Sequence, residues 1–366
     1  MIRVGIIGCG KVADQHAVQI QRIPGAELTA VCDSEPLMAE QLCDRFGAMR
    51  SFTSADDMLD ALTFDVVHIT TPPQSHFALA RRCLMAGTNV YIEKPFTLNT
   101  VDAEELIDLA DRKGLKLTAG HNAQFTPAMV RMRELVKNGY LGGKPVHIES
   151  TYCYDLKDQR YAAALLGDRE HWVRQLPGSL LQNIISHGVS KIAEFFTGND
   201  PLVVAHGFTS AFLVSIGQGD IVDELRVLLR DEDSTTAYFT FSSQFGPTVH
   251  RLHLYGPKQS LIVDDDHQVV LKEINREYRS YLRYFLPPLA YAKQHVENLA
   301  LNVRKFVTKD FHLPFDAGLN TLIAAFYHSI VTGAPPPIPY REILLTSRIM
   351  DDIFAQLKPH STATGS

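Results

Sequence analysis

The sequence predicts a two-domain α/β protein, an N-terminal Rossmann-type doubly wound parallel sheet followed by an α/β domain with a large open antiparallel sheet. Three observations predict it. The 366 residues exceed what one typical core organises. Residues 3–120 alternate short Val- and Ile-rich runs with longer segments of helical period, the pattern of parallel strands joined by crossover helices. Residues 202–271 carry short period-two or β-branched runs separated by Gly, Pro and Asp turns, as antiparallel strands do. The expected division is residues 1–122 and 123–366.

In chain order, strands are expected at 3–8, 27–33, 65–70, 89–93 and 116–121, with helices between them at 12–22, 36–46, 54–62, 74–86 and 101–113. A helix at 127–138 and a strand at 146–154 follow. A mostly irregular stretch then leads to a helix at 180–196. Strands at 221–229, 235–241 and 249–255 belong to the antiparallel region. Three helices close the chain, at 289–306, 315–331 and 340–357, the last two separated by a Gly-Ala-Pro-Pro-Pro turn. The polar tail at 358–366 is expected to fray.

Composition excludes several classes of function. At 45% hydrophobic and 21% charged, the chain is too apolar to be disordered. Thirty-five Lys plus Arg face 41 Asp plus Glu without long blocks of one sign, so no nucleic-acid footprint exists. Five cysteines form an odd set with no CxxC pair, which fits a reduced, cytoplasmic setting. No run approaches the roughly 18 apolar residues of a membrane helix, and the chain opens on a strand-like run, so a soluble, unprocessed protein is expected. The aromatic stretch at 278–311 resembles a membrane-surface segment, but Pro287 and Pro288 interrupt its helical period and its basic residues do not share a face. Packing against a sheet explains it more simply.

The first chemistry-bearing motif is Gly8-Cys9-Gly10-Lys11-Val12-Ala13, a GxGxxA turn between the first strand and the first helix. Gly8 permits the tight turn, Gly10 lets backbone approach a pyrophosphate resting on the N–H groups of Lys11 and Val12, and Ala13 allows close helix packing. Twenty residues beyond Ala13, Asp33 ends the second strand, where a carboxylate accepts from ribose hydroxyls. Its neighbours are Ser34 and Glu35 rather than arginine, so NAD is expected over NADP.

Two further motifs fall at carboxyl ends of strands, the edge that holds the ligand crevice in open α/β sheets. One is Thr70-Thr71-Pro72, followed by His76; the other is Glu93-Lys94-Pro95. All are expected to border the cofactor, His76 as a structural or ribose-adjacent residue rather than a catalytic one. Together with the stretch from Gly178 to His187, these motifs resemble the Gfo/Idh/MocA family, the relatives of glucose-fructose oxidoreductase and inositol dehydrogenase, over nearly the whole chain.

The resemblance implies a nicotinamide-dependent dehydrogenase acting on a hydroxyl-bearing carbon of a sugar, cyclitol or nucleotide sugar. It also implies a homodimer or homotetramer formed through the C-terminal sheet. Lys94 is then the residue that positions and deprotonates the hydroxyl. Hydride leaves a carbinol carbon only as the O–H proton is lost, and a lysine with a lowered pKa can take that proton. The family's second-domain pattern falls on Asn183 and His187, one helical turn apart. Asn183 stands where an aspartate is usual, and Ser179 where a glycine is; Asn183 can orient substrate but cannot take up a proton, which shifts acid–base work to Lys94 and His187. Asn122 matches the family's junction segment as a cofactor contact, with Gln124 in place of a common arginine. Trp172 resembles a residue of the loop that covers nicotinamide and sugar. Arg174, Arg160 and Tyr154, which shares a strand face with Tyr152, are either substrate contacts or ordinary surface and core residues.

Two rival readings share the fold: an NAD-dependent glycoside hydrolase or lyase working by transient oxidation, and a non-catalytic NAD or sugar sensor, which Asn183 keeps in play. No metal site is expected. His250 with His253, and Asp264-Asp265-Asp266-His267, lack a further ligand at a recognisable spacing.

Overall fold

The structure is a computed structural model that describes residues 1–156, 170–273, 281–308 and 314–357. Arg160, the tail at 358–366 and both ends of the aromatic stretch at 278–311 lie outside the described residues. The chain forms two compact units, Met1–Pro127 with Asp310–Ser347, and Ala128–Lys309 with Arg348–Ser366.

The first unit holds a six-stranded sheet built from β1 (Ile2–Ile7), β2 (Ala26–Cys32), β3 (Arg50–Phe52), β4 (Val66–Ile69), β5 (Asn89–Ile92) and β6 (Leu117–Ala119). The strand order is β3-β2-β1-β4-β5-β6 and every pairing is parallel, so chain direction reverses its walk across the sheet beside β1. Helices α1 (Lys11–Arg22), α2 (Pro36–Phe46), α3 (Ala55–Ala61), α4 (His76–Met85) and α5 (Thr100–Lys113) make the crossovers, and α6 (Pro127–Lys137) follows a single 3-10 turn at Asn122–Phe125. Buried runs such as Val66-Val67-His68-Ile69 reflect a sheet covered on both faces. The edge strand β3 was not among the expected strands. Its three residues, two of them exposed, carry almost no hydrophobic signal, and only pairing with β2 makes them a strand.

The unit also takes in α11 (Pro314–Thr332), whose Leu319, Leu322, Ile323, Phe326 and Tyr327 join its core. The expected boundary placed that helix in the second domain. An apolar helical face records that the helix is buried but not against what.

The second unit is organised on seven strands in the order β13-β12-β11-β7-β10-β9-β8. These are β7 (His147–Cys153), β8 (Leu202–Phe208), β9 (Glu224–Arg230), β10 (Thr236–Ser242), β11 (Val249–Tyr255), β12 (Ser260–Asp264) and β13 (Val269–Lys272). The sheet is open and mostly antiparallel. The β7–β10 pair is parallel, because β7 arrives early in the chain and is inserted between later strands. Two helices, α7 (Ser179–Ile184) and α8 (Ser186–Ala193), replace the single helix expected at 180–196 and break at Ile185, and α8 packs on β7 and β10 of the sheet. Gly188 is required here: a Cβ would lie 2.3 Å from the Phe239 ring and 2.9 Å from Tyr152 Cβ.

Two more differences concern local signals. A short helix, α9 (Ala211–Ser215), interrupts the strand-like region, started by the Ser210 side chain accepting from the Leu213 amide. Helix α10 (Leu282–Val307) begins seven residues before the expected start and runs through Pro287 and Pro288, forgoing two backbone donors. The last helix, α12 (Tyr340–Leu357), matches its expected bounds and contributes residues to both units. No helix among the described residues is long and apolar enough to cross a membrane.

Candidate active site

The expected cofactor and lysine residues lie at the carboxyl ends of β1, β2, β4 and β5 of one sheet. Gly8 follows β1 with φ of +97°, and a Cβ there would stand 2.7 Å from both the Thr71 amide nitrogen and Thr71 Cγ2. The turn is pinned to the neighbouring strand end by the Thr70 hydroxyl, which donates to the Gly8 carbonyl at 2.6 Å. Gly10 is different: it caps α1 in extended conformation, φ −77°, and a Cβ would meet nothing within 4 Å. Space therefore stands over Gly10 where α1 begins, and the amides of Lys11 and Val12 in its first turn have no intrahelical acceptor. Those two side chains are exposed.

Asp33, just past β2, bridges the turn. Its carboxylate accepts from the Cys9 amide at 2.7 Å and the Glu35 amide at 3.0 Å, and its own amide bonds to Phe52 of β3. A half-buried carboxylate is thus held beside the glycine turn with lone pairs remaining. After β4, Thr71 accepts from Ser75, and exposed Pro72 caps the same turn through its carbonyl. His76 is fully buried, with Nδ1 2.9 Å from the Pro95 carbonyl and Nε2 2.9 Å from the Thr71 carbonyl. It braces the loop after β4 against the loop after β5.

Glu93 and Lys94 directly follow β5. The Lys94 amide donates to Glu93 Oε2 at 3.1 Å, and His16 Nε2 of α1 lies 3.0 Å from Glu93 Oε1. Backbone crowds the carboxylate, since a Cβ on Gly120 would lie 2.8 Å from Glu93 Oε1. Burial opposes the Glu93 charge, but the His16 bond, the nearby Lys94 ammonium and the Lys94 amide together hold its carboxyl below the ordinary range. Lys94 keeps some solvent contact, yet the protein packed round its ammonium lowers it from the ordinary lysine range, opposed by the Glu93 charge. His121, after β6, is 2% exposed and is pushed down to about 4 by burial, with Lys94 adding to the effect and Glu93 opposing it. Its Nδ1 is buried without a hydrogen-bond partner. Asn122 opens the next turn, and Gly318 of α11 passes so close that a Cβ would sit 2.2 Å from the Asn122 carbonyl oxygen.

The residues expected from the second half of the chain lie in the second unit. Asn183 is in α7 and His187 in α8, one turn apart through Ile185, and His187 is 9% exposed. Ser179, at the family's glycine position, adopts φ of +47°. The His187 ring faces Tyr152 of β7 with centroids 5.6 Å apart, and the Tyr152 and Tyr154 hydroxyls are 3.3 Å apart. His250 joins this group, 4.2 Å from the Tyr152 ring and 5.0 Å from Tyr154, with Nδ1 2.8 Å from Asp266 Oδ1. Trp172 and Arg174 share a 3-10 turn; the Arg174 guanidinium is engaged by Asp220 at 3.0 Å and by Gln218. The sequence reading set aside His250 and did not single out His16 or His68. The available signal was polar residues in apolar patterns: His16 within the Ala13, Ala17, Ile20 stripe of α1, and His68 inside the β4 run.

Comparison with known proteins bears on the N-terminal part. Residues 2–121 match the model of the oxidoreductase family with an NAD-binding Rossmann fold. By that match the N-terminal third of the chain is of the Gfo/Idh/MocA type. Among curated relatives, Oxidoreductase P35 of Formosa agariphila is 27% identical over 53% of this chain and 60% of its own length. D-glucoside 3-dehydrogenase of Escherichia coli is 35% identical over 38% of this chain and 40% of its own. The matched stretches thus span less than two thirds of these relatives. Among solved structures, the dehydrogenase from Bordetella pertussis in complex with NADH and UDP-GlcNAcA shares the fold, with a TM-score of 0.73 at 19% identity over 97% of this chain and 94% of that one.

Proposed function

We propose that this protein is an NAD-dependent dehydrogenase of the Gfo/Idh/MocA family that oxidises or reduces a hydroxyl-bearing carbon of a sugar, cyclitol or nucleotide sugar. The observation that carries the reading is one sheet edge holding the open Gly10 turn, the Asp33 carboxylate and the Glu93–Lys94 pair. The residues fit a dinucleotide: a Cβ-sized space over Gly10, first-turn amides of α1, and the unpartnered buried His121 Nδ1. The names of the Escherichia coli and Bordetella pertussis proteins support the substrate class.

Bound nicotinamide dinucleotide supplies the hydride acceptor or donor. In this reading Gly8, Gly10, Lys11 and Val12 hold the pyrophosphate, and Asp33 accepts from the ribose hydroxyls while repelling a 2′-phosphate, which favours NAD over NADP. Thr70, Thr71, Pro72, His76 and Asn122 border the cofactor. Lys94, with its ammonium lowered by burial, exchanges a proton with the substrate oxygen; His187 is a second acid–base group and Asn183 orients the sugar. Trp172, Arg174 and Tyr154 contact substrate. The first unit serves the cofactor, and the second serves substrate and assembly. Assembly uses the outer sheet face, where Val204, Leu228 and Tyr238 align across β8, β9 and β10, each at least 40% exposed.

The test is a spectrum of the purified protein for bound NADH, then a screen of sugars, inositols and UDP-sugars followed at the nicotinamide absorbance band, comparing wild type with Lys94→Ala. Substrate-dependent NADH formation that vanishes in Lys94→Ala while NAD still binds supports the reading. NAD binding with no turnover on any of these substrates would refute it.

A further inference from the structure

Beneath Glu93 a string of polar side chains runs through the core of the first unit. Glu93 Oε1 lies 3.0 Å from His16 Nε2, His16 Nδ1 lies 2.7 Å from His68 Nδ1, and His68 Nε2 lies 2.8 Å from the Tyr327 hydroxyl. His16 and His68 are 0% exposed and Tyr327 is 2% exposed. The string joins α1, β4, β5 and α11, and Tyr91 stacks on His68 at 4.7 Å with the rings 6° from parallel. Apolar residues normally fill a strand buried on both faces, and burying polar ones is costly unless all are satisfied.

Once His16 is taken as neutral, the donors follow by elimination. A carboxylate only accepts, so a neutral His16 must present Nε2–H to Glu93 and a bare Nδ1 to His68. His68 must then carry its proton on Nδ1, leaving Nε2 bare to accept from the Tyr327 O–H. Every donor points toward Glu93 and every facing lone pair is used. We propose that Tyr327, His68 and His16 form a one-way hydrogen-bond chain that holds Glu93 as an oriented carboxylate and thereby positions the Lys94 loop. The remaining titratable groups around Glu93 are Lys94 itself, Tyr91, His76 and His121. None of the three chain members is proposed to touch substrate; they are positioning residues. Their consequence for catalysis rests on the dehydrogenase reading, but the chain itself does not.

The test uses the full-length protein labelled with 15N-histidine, whose long-range 1H–15N correlations distinguish the two ring tautomers, assigned with His16→Gln and His68→Gln. The expected result at pH 7 is His16 protonated on Nε2 only and His68 on Nδ1 only. A His68 proton on Nε2, or a doubly protonated ring at either position, overturns the proposal. Tyr327→Phe removes a single oxygen. It should release His68 from one tautomer and speed hydrogen exchange of the Lys94 amide about fivefold to tenfold, the worth of one weakened hydrogen bond, while the amides of β2 keep their rates. Acceleration spread evenly over the unit, or none at Lys94, would show a merely structural role. Correct tautomers with a failed sugar screen refute the proposed activity alone, and wrong tautomers with turnover refute the chain alone.

Discussion

Two glycines in one turn, Gly8 and Gly10, should fail for different reasons when changed to alanine. At Gly8 the backbone lies at φ +97° and a Cβ would stand 2.7 Å from a backbone nitrogen that cannot swing aside. Left-handed strain costs about 1–3 kcal/mol and forced overpacking about 1–3 more, so Gly8→Ala should lose about 2–6 kcal/mol. For a unit of this size that is a fall of roughly 4–24 °C in thermal midpoint. Gly10 has ordinary φ and open space, so Gly10→Ala should cost no more than about 0.5–1 kcal/mol of helix capping. The new methyl there occupies the space proposed for pyrophosphate, and NAD affinity should fall tenfold or more. Thermal shift without ligand and NAD titration by fluorescence separate the two outcomes. Equal loss of stability in both variants, or wild-type NAD affinity in Gly10→Ala, would refute the assignment of Gly8 to the fold and Gly10 to the ligand.

Further outcomes follow from buried charge. Lys191 and Asp265 form an ion pair in the second unit with 1% and 8% side-chain exposure, and Asp265→Ala, which strands the ammonium, should cost about 3–5 kcal/mol in urea unfolding. His121 is pushed down to about 4, and burial lowers His68 and His76 also, so each takes up its proton at a lower pH in the folded chain than in the unfolded one. Stability is therefore complete above about pH 6.5 and falls as pH drops toward 4, by about 3 kcal/mol for His121 alone; His121→Gln should flatten that fall in urea midpoints measured across the range. Burial pushes the Cys9, Cys83 and Cys153 thiols up to about 12 and Cys32 to about 11. In native protein at pH 8 a disulfide reagent should therefore modify partly exposed Cys43 first and the other four only on unfolding.

Much of the first unit was legible because its signals are local. The GxGxxA turn, Asp33 at a strand end and the Glu93-Lys94 pair depend on chain order and backbone geometry, and all fall at the sheet edge where the spacing put them. The amphipathic helices from α1 to α5 were legible for the same reason: each buries a face whose period is written in consecutive residues. The second unit was legible as short strands but not as a pairing scheme. Parallel insertion of β7 beside β10 is a choice among partners nearly ninety residues apart, and no local pattern encodes it.

What the sequence by itself determined is the glycine turn, the strand–helix alternation behind it and the residue types offered for chemistry. What only the tertiary structure decided is which distant residues meet. Helix α11 joins the first unit because its apolar face completes that core, and Tyr327 thereby reaches His68. Strand β3 exists because β2 offers it unpaired backbone groups, although its own three residues bury little. His16 and His68 look like errors in two apolar patterns until folding brings them within 2.7 Å of one another. Periodicity reports whether a position is buried, whereas a hydrogen bond between positions fifty-two residues apart depends on the packing of separate elements.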